Sequence, residues 1–397
     1  MADFPETFDG KPLVYLDNNA TTKIAPEVVE AMRPYFTDKW GNPSSMHYFG
    51  GRVEQDVEAA RERVAAFLHA DDPSEIIFTS CASESDNAAL YGAVAQLGPK
   101  TRILTTKVEH PAILVPARHY RDDLGHEVVE IGVDGAGHLD FAQLEAELAK
   151  GGPTVVAVMW ANNETGVLFD LPRVAALAKQ YGAFLHTDAV QAAGKVPLDV
   201  SKVPVDTLAL SGHKIHAPKG VGILYVRRGT RLKTWLLGGH QERGRRAGTE
   251  NVPYIVGFAK ACDLATEHLA DMPRVAALRD KLENGLLASC PDTSVNGDRA
   301  MRVPTTTNVS FSFIEGEAML YHLSDLGICA SSGSACSSDS LEASHVIRAM
   351  GIPFTAAHGS LRFSLSHYTV ESEIDYVLEH MPGIVEHLRR LSPFVKK

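Results

Sequence analysis

Ala183-Phe184-Leu185-His186-Thr187-Asp188 and Thr207-Leu208-Ala209-Leu210-Ser211-Gly212-His213-Lys214 are the two stretches that decide the fold. Each is a short apolar run that ends in polar residues, the pattern of a strand buried on both faces of a parallel sheet. A carboxylate and an amine therefore stand at the carboxyl ends of two strands. Open α/β sheets take their ligands at that edge. A buried structural ion pair satisfies the same local pattern, so the rest of the chain has to separate the two readings.

Outward from this pair, strand-like runs recur at Glu75–Thr79, Arg102–Thr106, Glu127–Ile131, Val155–Trp160, Ala183–Thr187, Thr207–Leu210 and Ile223–Val226. Helical periodicity fills most of the gaps, as in Asp140–Lys150 and Pro172–Tyr181. Alternating strand and helix predicts an α/β domain around a seven-stranded, mainly parallel sheet. Gly238 to Asn251 is rich in Gly and Arg and reads as loop, followed by a helix over Val252–Leu269. Beyond Pro273 the alternation thins to helices near Arg274–Ser289, Gly316–Leu326, Leu341–Met350 and Glu371–Leu391, with strands near Thr307–Phe313 and Ser360–Leu365. The expected division is a large domain over 15–262 and a smaller α+β domain from 1–14 and 263–397.

The 397 residues are 45% hydrophobic and 22% charged, an ordinary globular balance, with a net charge of −11 that disfavours nucleic acid as a partner. Arg243, Arg245 and Arg246 form a lone basic cluster, which suits a single anionic group. The acidic N-terminus lacks signal-peptide layout, and no apolar run reaches the ~18 residues of a membrane helix. Five cysteines without regular spacing form no disulfide framework, so the expectation is a soluble cytoplasmic protein with reduced thiols.

Polar groups cluster at the other strand ends as well. Thr79-Ser80-Cys81-Ala82-Ser83-Glu84-Ser85-Asp86 leads from a strand into a helix over Glu84–Leu97, with Ser83 and Asp86 spaced as a helix start. Open N–H groups and hydroxyls there form an anion site, although a well-capped helix gives the same sequence. His110, after the strand Arg102–Thr106, suits stacking on a ring and proton movement near neutral pH, or equally a helix start. Asn163 follows the strand Val155–Trp160 and offers a neutral donor, and Gln191 lies three residues past Asp188. One ligand shared by four strand ends explains this better than separate accidents. Asp facing a pyridine nitrogen and Lys forming a Schiff base are the groups that pyridoxal 5'-phosphate requires.

Ala330-Ser331-Ser332-Gly333-Ser334-Ala335-Cys336-Ser337-Ser338 is almost wholly small or hydroxylic, with one cysteine at its centre. Such a stretch predicts a mobile loop and a thiol that travels. Arg362 stands alone in the apolar strand Ser360–Leu365, where a guanidinium needs either a substrate carboxylate or an internal salt bridge. His213 and His216 lack a third nearby metal ligand.

With these residues assembled, the chain closely resembles the cysteine desulfurases, in the class V aminotransferase group of fold-type-I pyridoxal-phosphate enzymes. The motifs are Tyr15-Leu16-Asp17-Asn18-Asn19-Ala20-Thr21-Thr22, Glu109-His110-Pro111, Asn162-Asn163-Glu164-Thr165-Gly166, His186-Thr187-Asp188-Ala189-Val190-Gln191, Gly212-His213-Lys214, Arg246-Ala247-Gly248-Thr249-Glu250-Asn251 and the Cys336 loop. Gly238-Gly239-His240-Gln241-Glu242-Arg243-Gly244 looks most like the nitrogen-fixation branch. The resemblance implies that Lys214 holds the cofactor covalently, Asp188 keeps its ring nitrogen protonated, Gln191 bonds the ring hydroxyl, Asn163 contacts the cofactor and His110 stacks on it. Ala82, Ser83, Ser211 and His213 would bind the phosphate, joined by Thr249 from the other subunit of a homodimer. Arg362, with Asn163, would bind L-cysteine. Cys336 would receive the sulfur as a persulfide, leave alanine, and pass the sulfur to an iron–sulfur scaffold protein for nitrogenase maturation. No resident metal is implied beyond transient ligation of a nascent cluster by Cys336. A selenocysteine lyase or a transaminase of the same fold, and a non-enzymatic persulfide carrier, are the rivals.

Overall fold

The computed structural model describes residues 6–332 and 343–393. Its centre is a seven-stranded sheet built from β1 (Ile76–Thr79), β2 (Arg102–Thr106), β3 (Val128–Ile131), β4 (Thr154–Ala157), β5 (Phe184–Asp188), β6 (Thr207–Ser211) and β7 (Gly222–Val226). The order across the sheet is β1-β7-β6-β5-β4-β2-β3. Only β7 runs antiparallel to its neighbours, so the expected mainly parallel α/β sheet is present.

Burial on both faces explains why the strands read as continuous apolar runs. Successive side chains alternate between two packing layers. Leu104, Val156, Leu208 and Ile223 join a large core with the helices Tyr48–Leu68, Leu171–Gln180 and Val252–His268. Their neighbours Ile103 and Val155 pack on the opposite face with Leu90, Ala93 and Val94 of the helix Ala82–Leu97.

Elements that the periodicity did not predict are explained by packing. The helix Tyr48–Leu68 begins through Gly50-Gly51, poor helix formers. Gly50 fits because a Cβ there would lie 2.5 Å from the Asn42 carbonyl oxygen, so close approach outweighs propensity.

A second sheet contains β8 (Thr293–Val295), β9 (Thr306–Phe311), β10 (Ser331–Ser332) and β11 (Ser360–Ser364), ordered β8-β9-β11-β10 and antiparallel throughout. Val309, Phe311, Leu361 and Phe363 pack under the helices Met272–Ser289 and Glu371–Leu391. Val14 and Leu16 enter this second core, and Val14–Tyr15 pairs in parallel with Ile328–Cys329. The chain after Leu16 then crosses to the carboxyl edge of the large sheet. Among the described residues no helix is long and apolar enough to span a membrane.

Candidate active site

A cavity of about 370 Å³ opens where the carboxyl ends of β1, β5 and β6 meet the second sheet. Its walls include Ala82, Ser83, His110, Asn163, Asp188, Gln191, Ser211, His213, Lys214 and Arg362, so the structure brings together ten of the residues singled out from the sequence. Thr249 lies apart from this cavity and is exposed. Cys336 lies outside the described residues.

At the end of β1 the chain turns through Cys81, extended at φ −174°, into the helix Ala82–Leu97. Among the described residues no side chain caps this helix, which leaves its first N–H groups open beside Ser83. That open start suits a phosphate. Gly222 of β7 passes close behind: a Cβ there would lie 2.8 Å from the Cys81 carbonyl carbon and 2.6 Å from Leu210 O. The predicted cap pairing of Ser83 with Asp86 is not formed. The helix starts at Ala82, and Asp86 turns inward to lie 3.0 Å from Nε2 of His186.

The basic cluster also differs from expectation. Arg246 pairs with Glu84 at 2.8 Å, Arg243 with Glu58 at 3.0 Å, and Arg245 donates to the Ser74 carbonyl at 2.6 Å. These guanidiniums hold the fold together rather than converge on one anion.

Asp188 ends β5, fixed by the Val190 N–H donating to Oδ1 at 2.9 Å. Burial raises its pKa to about 6, against the Val190 hydrogen bond and the Lys214 charge, which lower it. Behind it, burial drives His186 down to about 3 and pushes Asp86 far up, helped by the neighbouring Asp188 and Glu109 carboxyls. An uncharged Asp86–His186 pair is thus favoured, with the His186 Nδ1 2.9 Å from Thr207 Oγ1. Glu109 is pushed to about 8 by burial, although Met159 N–H and Thr106 O–H both donate to its Oε1 at 2.9 Å. Asp188 is consequently the carboxyl of this group that ionises most readily at neutral pH.

His110 realises the helix-start reading, and its lowered pKa runs against the expected proton movement near neutral pH. Its Nδ1 accepts the Ala112 N–H at 3.1 Å as the N-cap of the helix Pro111–Asp122, and it lines the cavity. That bond places the ring proton on Nε2. Burial, then the Lys214 charge, lowers its pKa to about 4, so the ring is neutral at pH 7.

Lys214 sits in the 3-10 turn Gly212–Lys214 after β6 and donates to the carbonyls of Asn19 at 2.6 Å and Ala20 at 2.7 Å. Asn19 is a hub. Its Nδ2 donates to Asn163 O at 3.0 Å and Thr306 Oγ1 at 2.9 Å, and its carbonyl also accepts from Gln191 at 3.0 Å. Arg362 donates to Asp17 at 2.8 Å and to Asn163 O at 3.0 Å, while its buried Nε has no partner among the described residues. Both alternatives for Arg362 therefore have support: it has an internal ion pair and it faces the cavity.

A family model described as Aminotransferase class-V matches residues 14–377. The chain belongs to the class-V aminotransferase family. Among curated members it is 56% identical over 383 residues to a cysteine desulfurase of Trichormus azollae, covering 96% of this chain and 95% of that one. It is 52% identical over 382 residues to the cysteine desulfurase NifS of Azotobacter vinelandii, covering 96% and 94%. A solved NifS-like protein superposes with a TM-score of 0.87 at 37% identity, covering 95% of this chain and all of the other. The resemblance read from the motifs and this family assignment agree.

The family is a pyridoxal-phosphate-dependent group, and the cavity fits that cofactor's needs: an uncapped helix start, a buried carboxylate, a lysine and a neutral imidazole. Sequence reasoning passed over Asn19 as a hub and gave Lys195 no role. Lys195 stands in a turn, where a lysine ordinarily faces water, and only long-range packing shows otherwise.

Proposed function

We propose that this protein is a cysteine desulfurase that converts L-cysteine to L-alanine, holding the sulfur as a persulfide on Cys336. One observation carries the reading: Lys214, Asp188, His110 and Arg362 converge on one cavity whose wall also includes Ser331 and Ser332, immediately before the Cys336 segment. On the far side of that segment, Ser344 O–H donates to Glu164, another cavity residue.

Pyridoxal phosphate, when bound, supplies an electron sink for the substrate's Cα–H bond. Lys214 is the amine that would hold it and, once released by substrate, take the α-proton. The Asp188 carboxylate would keep the ring nitrogen protonated, and the cavity's buried setting strengthens that interaction. Ala82, Ser83, Ser211 and His213 would hold the phosphate, with Thr249 from a second copy in a homodimer. His110, neutral and fixed at Nδ1, would stack on the ring, while Gln191 and Asn163 would contact its polar edge. Arg362 would turn its guanidinium from Asp17 to the substrate carboxylate, a planar match. The Cys336 thiolate would attack the substrate sulfur. The S–S bond forms, the C–S bond breaks with its electron pair left on the substrate side, and reprotonation gives alanine. The persulfide then supplies a scaffold protein for iron–sulfur clusters, in keeping with nitrogenase maturation.

Cys336→Ala tests this reading. The variant keeps its cofactor colour yet releases almost no sulfide or alanine from cysteine. Full desulfurase activity in Cys336→Ala would overturn the assignment of the nucleophile.

A further inference from the structure

Lys195 is buried, 8% exposed, and donates to two amide oxygens: Gln191 Oε1 at 2.5 Å and Asn19 Oδ1 at 2.7 Å. Among the described residues no carboxylate pairs with it. Burial and the Lys214 and Arg362 cations push its pKa far down. Two acceptors match the two N–H bonds of a neutral amine. The remaining titratable neighbours are His216, His268 and His367, which share with it a separate cavity of about 40 Å³. Lys195 does not line the larger cavity, whereas Gln191 does and Lys214 lines both.

An amide can face a ligand with either its oxygen or its nitrogen, and the hydrogen-bond network decides which. Here an amine occupies the Gln191 oxygen. The Gln191 Nε2 then has one N–H on the Asn19 carbonyl at 3.0 Å and a second for the cavity. That carbonyl is also the one that receives Lys214.

We propose that Lys195 is a positioning residue, locking the Gln191 amide with its N–H toward the cofactor's ring hydroxyl and steadying the Asn19 carbonyl beside Lys214. The proposal rests on the reading that Lys214 and Gln191 meet pyridoxal phosphate. An N–H donated to the ring oxygen stabilises negative charge there, which lowers the basicity of the covalently bonded nitrogen next to it. Removing Lys195 frees the amide to rotate and raises that basicity.

The test is a pH titration of the visible absorbance of the holoenzyme, beside borohydride fixation of cofactor to the chain. Lys195→Met moves the absorbance midpoint up by about one pH unit, the scale of one hydrogen bond to a charged group. Gln191→Ala moves it in the same direction, and the double variant moves no further than the larger single shift, because one path carries both effects. Lys195→Gln, which keeps a polar group but shortens its reach, gives an upward shift and serves if the methionine variant folds poorly. An unmoved midpoint in folded Lys195→Met or Lys195→Gln overturns the proposal, as does full additivity with Gln191→Ala. Failure of borohydride to fix cofactor to the unmodified chain instead overturns the underlying reading of Lys214.

Discussion

Glu283 and Glu109 are both fully buried carboxyls, yet their surroundings move their acidities in opposite directions. Glu283 receives Arg302 through two bonds of 2.6 and 3.0 Å, Arg299 at 2.6 Å and the Thr307 hydroxyl at 2.5 Å. Burial raises its pKa, but these partners outweigh burial and the net shift is downward. Glu109, one wall behind the cavity, has no opposing cation among the described residues. Burial takes it to about 8, and among the described residues its Oε2 has no hydrogen-bond partner. The core of the second sheet closes its charges on one another, whereas behind the cavity burial shifts Glu109, Asp86 and His186 toward their uncharged forms. A site that must exchange protons with a ligand is better served by groups whose charge has not already been neutralised.

The contrast breaks most visibly at Lys214. Lys214→Ala lowers cysteine turnover by about 10³-fold or more, and borohydride no longer fixes cofactor to the chain. Melting of the cofactor-free protein changes little. Retained covalent labelling would place the functional amine elsewhere, Lys195 being the nearest alternative.

Arg302→Met attacks the closed pair. It leaves Glu283 buried beside fewer compensating donors and costs about 3–5 kcal/mol in urea unfolding. A loss below about 1 kcal/mol would show that Arg299 alone satisfies the carboxylate.

Glu109→Gln spreads its effect over pH and gives the sharpest comparison. The folded-state pKa is raised from 4.5 to about 8. The folded protein therefore binds this proton more tightly than the unfolded chain does. The associated stability is complete below about pH 4.5 and is lost as pH rises toward 8, at up to about 1.4 kcal/mol per pH unit. Glu109→Gln removes that slope. Glu283 has the opposite sign: its contribution is present above its unfolded pKa and is lost as pH falls. A stability that changes with pH equally steeply from pH 5 to 8 in the unmodified protein and in Glu109→Gln would contradict the raised pKa.

The strands and the cavity floor were legible in the chain because a doubly covered strand must be apolar along its length. Any His, Asp or Lys at its tip then stands out, as His186, Asp188 and Lys214 do. Asp86 misled because its spacing from Ser83 mimics a cap, while its real partner, His186, lies on another strand. The antiparallel course of β7 left no mark in an apolar run that reads alike in either direction. Lys195 was illegible for a different reason. Its meaning lies in Asn19, far away in sequence, and no local pattern announces that two amide oxygens await it.

Ser331 sits opposite Arg362 in the ladder between β10 and β11. In the proposed reaction, the residue that leads into the Cys336 segment and the arginine assigned to the substrate carboxylate are thus rungs of one ribbon. Any tilt of that ribbon moves both together, so substrate preference and delivery distance cannot drift apart through sheet mutations.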